Sequence, residues 1–233
     1  MRFKPFINAK IFVGLISAMG LHAAAFAQVS DNSNMSRDNL MVVLRESVGA
    51  NKQDDTLIPS GKMKASLPDG HEIEFEIAAF ELIGDMHIRF VFDGPDSMRN
   101  ATPQDLSNLK LSTVDALKLS IANIERVYGP PKISTWAGGV MQVQGKSPDL
   151  DSSYFLDRAF WDGVAKAYPD GLVVAVPKRG GLLFVPLSDT KDVKALQKSV
   201  GTLYSSSERL RVSSALYLFK GNKWSLFQAP LTE

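Results

Sequence analysis

Two short stretches gather residue types that could do chemistry. In the run Pro177–Gly181, Lys178 and Arg179 are followed by Gly180 and Gly181. The two basic side chains offer donors and charge, and the glycines reach positive φ without steric cost. Successive N–H groups in such a turn can form an anion nest, so the stretch is a candidate seat for a small anionic ligand. The same composition also makes an ordinary β-hairpin turn with solvated basic ends. The second stretch carries Asp157, Arg158, Trp161 and Asp162. A pair of carboxylates is what glycoside hydrolysis needs, and Trp161 adds a flat surface for a ligand. Against this, Asp157 stands where a helix N-cap would stand, and Phe160 with Trp161 are core-forming types.

Other constellations point to less. The spacing Asp149-x-Asp151-x-Ser153 resembles the opening of a calcium loop. Tyr154 replaces the glycine needed at its sixth position, and Phe160 replaces the glutamate at its twelfth. An acidic surface loop is expected instead. His71 and His87 fall on neighbouring predicted strands near Glu72, Glu74 and Glu76. Alternation puts His71 on the side of Ile73 and Phe75 but His87 with Arg89, so no metal site is expected. There is no G-x-S-x-G elbow, no S-x-x-K followed by K-T-G, no Walker A and no G-x-G-x-x-G. No cofactor is expected, and the scarcity of catalytic residue types argues against an enzyme.

The elements that must position these residues are legible in part. Ser36 reads as the N-cap of a helix from near Arg37, with Leu40, Leu44 and Val48 on one face and Gly49 as its stop. Residues 50–61 read as a loop. Met63–Leu67, His71–Ala78 and Met86–Phe92 read as an antiparallel meander, with Ile73, Phe75 and Ile77 facing inward. Thr102-Pro103 starts a helix. Ser112 with Asp115 caps another, whose stripe is Leu117, Ile121, Ile124 and Tyr128 and whose stop is Gly129-Pro130-Pro131. Short β runs lie around Gly138-Gly139 and Met141–Gln144. A helix comes next, from about Arg158 to Tyr168. Leu172–Val176 reads as a strand covered on both faces, hairpinned to Leu182–Val185. A helix over about 190–204 and a final hairpin of Ala215–Phe219 with Trp224–Phe227 complete the chain. The predicted class is α+β: antiparallel hairpins and meanders packed with amphipathic helices. Two similar-sized subdomains are expected, 37–129 and 130–233, joined at the weak stretch 129–145.

The N-terminus predicts the compartment. Arg2, Lys4 and Lys10 form a basic region, Ile11–Phe26 carries no charge, and Ala25 with Ala27 supply an A-x-A cleavage site. This is the pattern of a secretory signal peptide over 1–27, with Gln28 as the mature start and a polar linker over 28–36. On cleavage Lys plus Arg falls from 26 to 23 while Asp plus Glu stays at 25, so the formal charge moves from +1 to −2. A near-neutral chain has no electrostatic basis for binding nucleic acid or an anionic membrane. Without cysteine, stability must come from a packed core, and thiol or thiolate chemistry is closed.

The run Pro169–Asp189, the preceding Phe160-Trp161-Asp162 and the closing Ser213–Phe227 resemble the YtpQ-like family of bacterial proteins, a domain of unknown function. The resemblance implies a shared fold over the C-terminal half and lends no catalytic residues. Taken together, the expectation is an exported periplasmic protein with no membrane anchor after cleavage. Its role would be a non-catalytic binding or interaction module of the cell envelope. Its partner would be an envelope protein or a small anionic ligand contacting Lys178, Arg179, Gly180, Gly181 and Trp161. The alternative is a periplasmic hydrolase using Asp157 and Asp162.

Overall fold

The computed structural model describes residues 35–231; the expected signal peptide and the expected linker up to residue 34 lie outside the described residues. The chain is α+β, and every strand pairing among the described residues is antiparallel.

The first element departs from expectation. Ser36 does cap, accepting from Asp38 N at 3.2 Å, but the cap leads into a single 3₁₀ turn, Arg37–Asn39, and then strand β1, Leu40–Glu46. Leu40 to Leu44 are all buried. An unbroken apolar run with β-branched Val42 and Val43 at its centre suits a strand covered on both faces better than a helix with one apolar stripe.

After β1 come β2 (Ile58–Pro59), β3 (Lys62–Ser66), β4 (Glu72–Glu76), β5 (Ala79–Glu81), β6 (Met86–Asp93) and β7 (Met98–Asn100). The first sheet has the order β1-β6-β5-β2, with β7 also on β6. The expected meander is broken, because β3 and β4 pair only with each other in a separate hairpin. Ile73 and Phe75 on β4 are 43% and 38% exposed, so their face meets water rather than the core. The register from Leu40↔Phe92 to Glu46↔Met86 sets Arg45 opposite His87 and Val43 opposite Arg89.

Helix α1, Pro103–Asn108, is held by a reciprocal cap: Thr102 Oγ1 accepts from Asp105 N at 3.1 Å and Asp105 Oδ2 accepts from Thr102 N at 2.8 Å. Helix α2, Thr113–Tyr128, is capped by Ser112 and ended by Gly129 at φ +82°. Ala116, Ile121 and Ile124 are its buried apolar residues. Asn123 Nδ2 donates to Leu40 O at 2.9 Å and fixes α2 along β1.

The second sheet holds β8 (Lys132–Ala137), β9 (Val140–Gln144), β10 (Leu172–Lys178), β11 (Gly181–Pro186), β12 (Leu216–Lys220) and β13 (Lys223–Gln228), in the order β13-β12-β10-β11-β9-β8. A 3₁₀ turn, Asp151–Leu156, and helix α3, Arg158–Ala165, lie between β9 and β10, and helix α4, Thr190–Ser205, comes after β11. β10 is buried on both faces, as its composition predicts. Val173 and Ala175 pack with Val193, Leu196 and Val200 of α4. Leu172, Val174 and Val176 belong to the main core.

That core includes Leu40, Ile88 and Phe90 of the first sheet together with Phe155, Trp161 and Phe219. The sheets divide near Gly129, but one apolar cluster runs across the division. At its centre Phe155 stacks on Trp224 with ring centroids 4.0 Å apart, and Trp161 stands edge-on to Phe184 at 5.6 Å. Trp161→Ala is expected to cost about 3–5 kcal/mol, as for a large core side chain. Urea unfolding measures this, and a loss below about 1 kcal/mol would reject a structural role for Trp161.

Candidate functional site

Gly129 turns the chain so that Pro130 and Pro131 cross the end of α2, while the Asp157 cap starts α3 beside the same helix. Between them lies a groove of about 710 Å³, walled by Leu117, Ile121, Leu156 and Phe160 among others. That volume and its mostly apolar lining are those of a small-molecule site.

One wall carries two carboxyls in contact. Asp157 Oδ1 accepts from Phe160 N at 3.0 Å, the ordinary duty of an N-cap. Glu125, half-buried on α2, hydrogen-bonds Asp157. Burial raises the Glu125 pKa first, and the charge and hydrogen bond of Asp157 raise it further. Tyr154, which donates to Gly129 O at 2.6 Å, is pushed up to about 12 by burial and by the charges of Asp151, Glu125 and Asp157. The nearby cations are engaged elsewhere or lie at the rim. Arg158 donates to Asn222 O at 2.8 Å and pairs with Asp55, and Lys118 is exposed. The arrangement is a pair of neighbouring carboxyl groups set into an apolar groove. Two carboxyls in mutual contact leave no room for a glycosidic bond, which needs them at least about 5 Å apart.

The residues expected from sequence are dispersed. Asp157 lines the groove, but Asp162 is exposed and lies outside it, so these two do not form the expected pair. A helix turns 100° per residue, so five positions carry Asp162 to a different face. Trp161 is fully buried and its Nε1 donates to Tyr154 O at 2.8 Å; it is core and not a ligand contact. Lys178 and Arg179 are half-buried. The expected nest is not formed: Arg179 N donates to Leu210 O at 3.1 Å, and neither Gly180 nor Gly181 has positive φ. Glycine is needed there for close approach. A Cβ on Gly180 would stand 3.1 Å from Pro148 O, and one on Gly181 would meet the Lys178 side chain at 2.9 Å.

The expected acidic surface loop is in fact largely buried. Asp151 Oδ1 accepts from Gly145 N at 2.7 Å and Ser153 Oγ donates to Val42 O at 2.8 Å, so these side chains splice the 3₁₀ turn to β9 and β1. His71 is exposed beside Asp69, whereas His87 is buried in the other sheet. Among the described residues no group of three His, Cys, Asp or Glu side chains could hold a metal, and no helix is long and apolar enough to cross a membrane.

Two groupings are not apparent from the sequence. Glu125 lies one turn after Ile121 on the apolar flank of α2, which is the signal that could have singled it out. Asp85 is buried between the sheets, accepting from Ser213 Oγ, from Tyr217 Oη at 3.2 Å and from Ser214 N at 3.3 Å. Burial raises its pKa against those bonds. A Cβ at the neighbouring Gly84 would lie 2.7 Å from Tyr217 Oη, so no larger residue fits. Comparisons of the chain with protein-family models, curated proteins and solved structures found no match.

The Glu125 pair has a definite pH signature. Its raised pKa means that the folded state binds more protons than the unfolded state at pH values above the ordinary Glu value of 4.5. Its contribution to stability therefore falls as pH rises from there. Glu125→Gln is expected to be more stable than the parent at pH 7, with the difference shrinking to nothing near pH 4. Urea titrations at both pH values check this, and a variant less stable at pH 7 contradicts it.

Proposed function

We propose that this chain is an exported, periplasmic, non-catalytic binding module of the cell envelope. Its ligand is a small molecule with a largely apolar body and a hydrogen-bonding head, seated in the α2–α3 groove. The observation that carries the reading is the groove itself: about 710 Å³, mostly apolar walls, and the paired carboxyls of Glu125 and Asp157 on one wall. Two neighbouring carboxyl groups can hydrogen-bond and orient a hydroxyl, amide or amine head group while the walls supply affinity. Export is supported by the basic, apolar and A-x-A sequence of 1–27. The YtpQ-like likeness rests on segments that fall in α3 and in β10 to β13, and it would add kinship of fold without naming a ligand. The second reading, hydrolysis by paired carboxylates, moves from Asp157 with Asp162 to Asp157 with Glu125. The raised pKa of Glu125 beside Asp157 is the observation that favours it, for a bond other than a glycosidic one.

A neutral fluorescent hydrocarbon amine, N-phenylnaphthylamine, is expected to bind saturably to the protein recovered from periplasmic extract. Ala122→Trp, placed on the exposed groove flank of α2, is expected to weaken that binding by about tenfold or more, a step of about 1.4 kcal/mol. Absence of saturable binding by the parent rejects the groove as a ligand seat. N-terminal sequencing of the same material is expected to begin at Gln28, and a chain retaining Met1 rejects export with cleavage.

A further inference from the structure

Three guanidinium groups from separate parts of the chain, those of Arg45, Arg89 and Arg179, lie close enough for their charges to act on one another. Arg45 leaves β1, and Arg89 leaves β6 on the same face, as the pairs Arg45↔His87 and Val43↔Arg89 require. Arg179 is brought over from the turn, which is anchored at both backbone groups: its N–H donates to Leu210 O at 3.1 Å and its carbonyl accepts from Ser152 N at 3.0 Å. None of the three lines the groove. We propose that Arg45, Arg89 and Arg179 form a separate binding site for a phosphate-bearing anion.

The first argument is unmet hydrogen bonding. Arg179 Nε is buried and has no partner. Such a group carries its full desolvation cost until something accepts from it. Arg89 uses only Nε, donating to His87 Nε2 at 2.8 Å, and Arg45 donates from Nη1 to Leu44 O at 2.7 Å. The remaining guanidinium nitrogens of these residues have no protein partner among the described residues.

The second argument is charge. None of the three arginines enters an ion pair among the described residues. Burial, and then the charges of Arg179 and Arg89, hold Arg45 down to about 10, while the exposed Asp149 opposes them only weakly. Arg89 is lowered by burial and by Arg179. Glu81 faces His87 across the β5–β6 pair but is exposed and neutralises none of them. Three cations held together at a cost, with only the exposed carboxylates Asp149 and Glu81 nearby, are what an anion would relieve.

The third argument is that Arg89 is held in place. His87 is pushed down to about 4 by burial and by the charges of Arg89 and Arg45, so it is neutral at ordinary pH. Its Nε2 accepts from Arg89, and its Nδ1 lies 2.9 Å from Ser47 Oγ. The imidazole acts as a fixed acceptor that orients the guanidinium. A planar monocarboxylate is satisfied by one arginine fork. Three guanidiniums, opposed only by exposed carboxylates, suit a tetrahedral oxyanion with several acceptor oxygens, such as a phosphate monoester.

Calorimetric titration at constant ionic strength tests the site. Inorganic phosphate and glycerol 3-phosphate represent free phosphate, and vesicles of phosphatidic acid in phosphatidylcholine represent a lipid headgroup. Acetate and pure phosphatidylcholine vesicles are the controls. Saturable binding of phosphate or glycerol 3-phosphate, but not acetate, is the expected result. Binding confined to the phosphatidic acid vesicles would assign the same chemistry to a headgroup. Arg89→Gln and Arg179→Gln are each expected to weaken binding by about tenfold or more, the loss of one charge-assisted hydrogen bond, and Arg179→Lys less than Arg179→Gln. The parent titration decides the matter even if a variant does not fold. No binding in any phosphate arm, acetate binding equal to phosphate, or folded glutamine variants binding as the parent does overturns the site.

Discussion

The rest of the structure depends on the burial of β10 from both sides. Its residues alternate between two apolar layers: Val173 and Ala175 against α4, and Leu172, Val174 and Val176 against the aromatic core. A strand with neither face in water can sit only at the centre of a sheet, and β11 and β12 flank it accordingly. In a chain without cysteine, this sandwiching takes the place that a crosslink has in many small exported domains. It also sets where the β10–β11 turn projects, and therefore where Arg179 meets the first sheet.

Asp85 shows how the two sheets are kept in one arrangement. A carboxylate beside Ser213, Ser214 and Tyr217 is more directional than apolar contact, because its acceptors demand particular donors. Apolar surfaces tolerate small slides, whereas a buried polar group tied to particular donors does not. Ser153 Oγ on Val42 O and Asn123 Nδ2 on Leu40 O do the same on either side of β1.

Two regions keep charge that the fold does not neutralise. At the α2–α3 groove Glu125, Asp157 and Asp151 weigh on Tyr154, and the positive cluster lies where β1, β6 and the β10–β11 turn converge. Arg158 could have offset the negative group, but Asn222 and Asp55 hold it. Structural ion pairs generally match their partners, so like charges left together are better explained by what they bind than by what they stabilise.

What the sequence determined by itself was local. The caps at Thr102 and Ser112, the stop at Gly129, the α2 stripe and the doubly covered β10 are legible because each depends on residues a few positions apart. β1 reads as a helix because a run of Leu and Val satisfies helical spacing as readily as strand burial, and only a partner strand distinguishes them. The β3–β4 hairpin is legible but its isolation is not, since alternation says which face is apolar and not whether anything covers it. For the sites, Arg179 and Asp157 are visible as chemistry-bearing residues. Their partners are not: Glu125 lies 32 positions before Asp157, and Arg45 and Arg89 lie more than 80 before Arg179. Tertiary structure alone decided those meetings, and it removed Trp161 to the core and Asp162 to the surface. The physical reason is that burial and electrostatic coupling depend on distance in space, and chain spacing reports that distance only within an element.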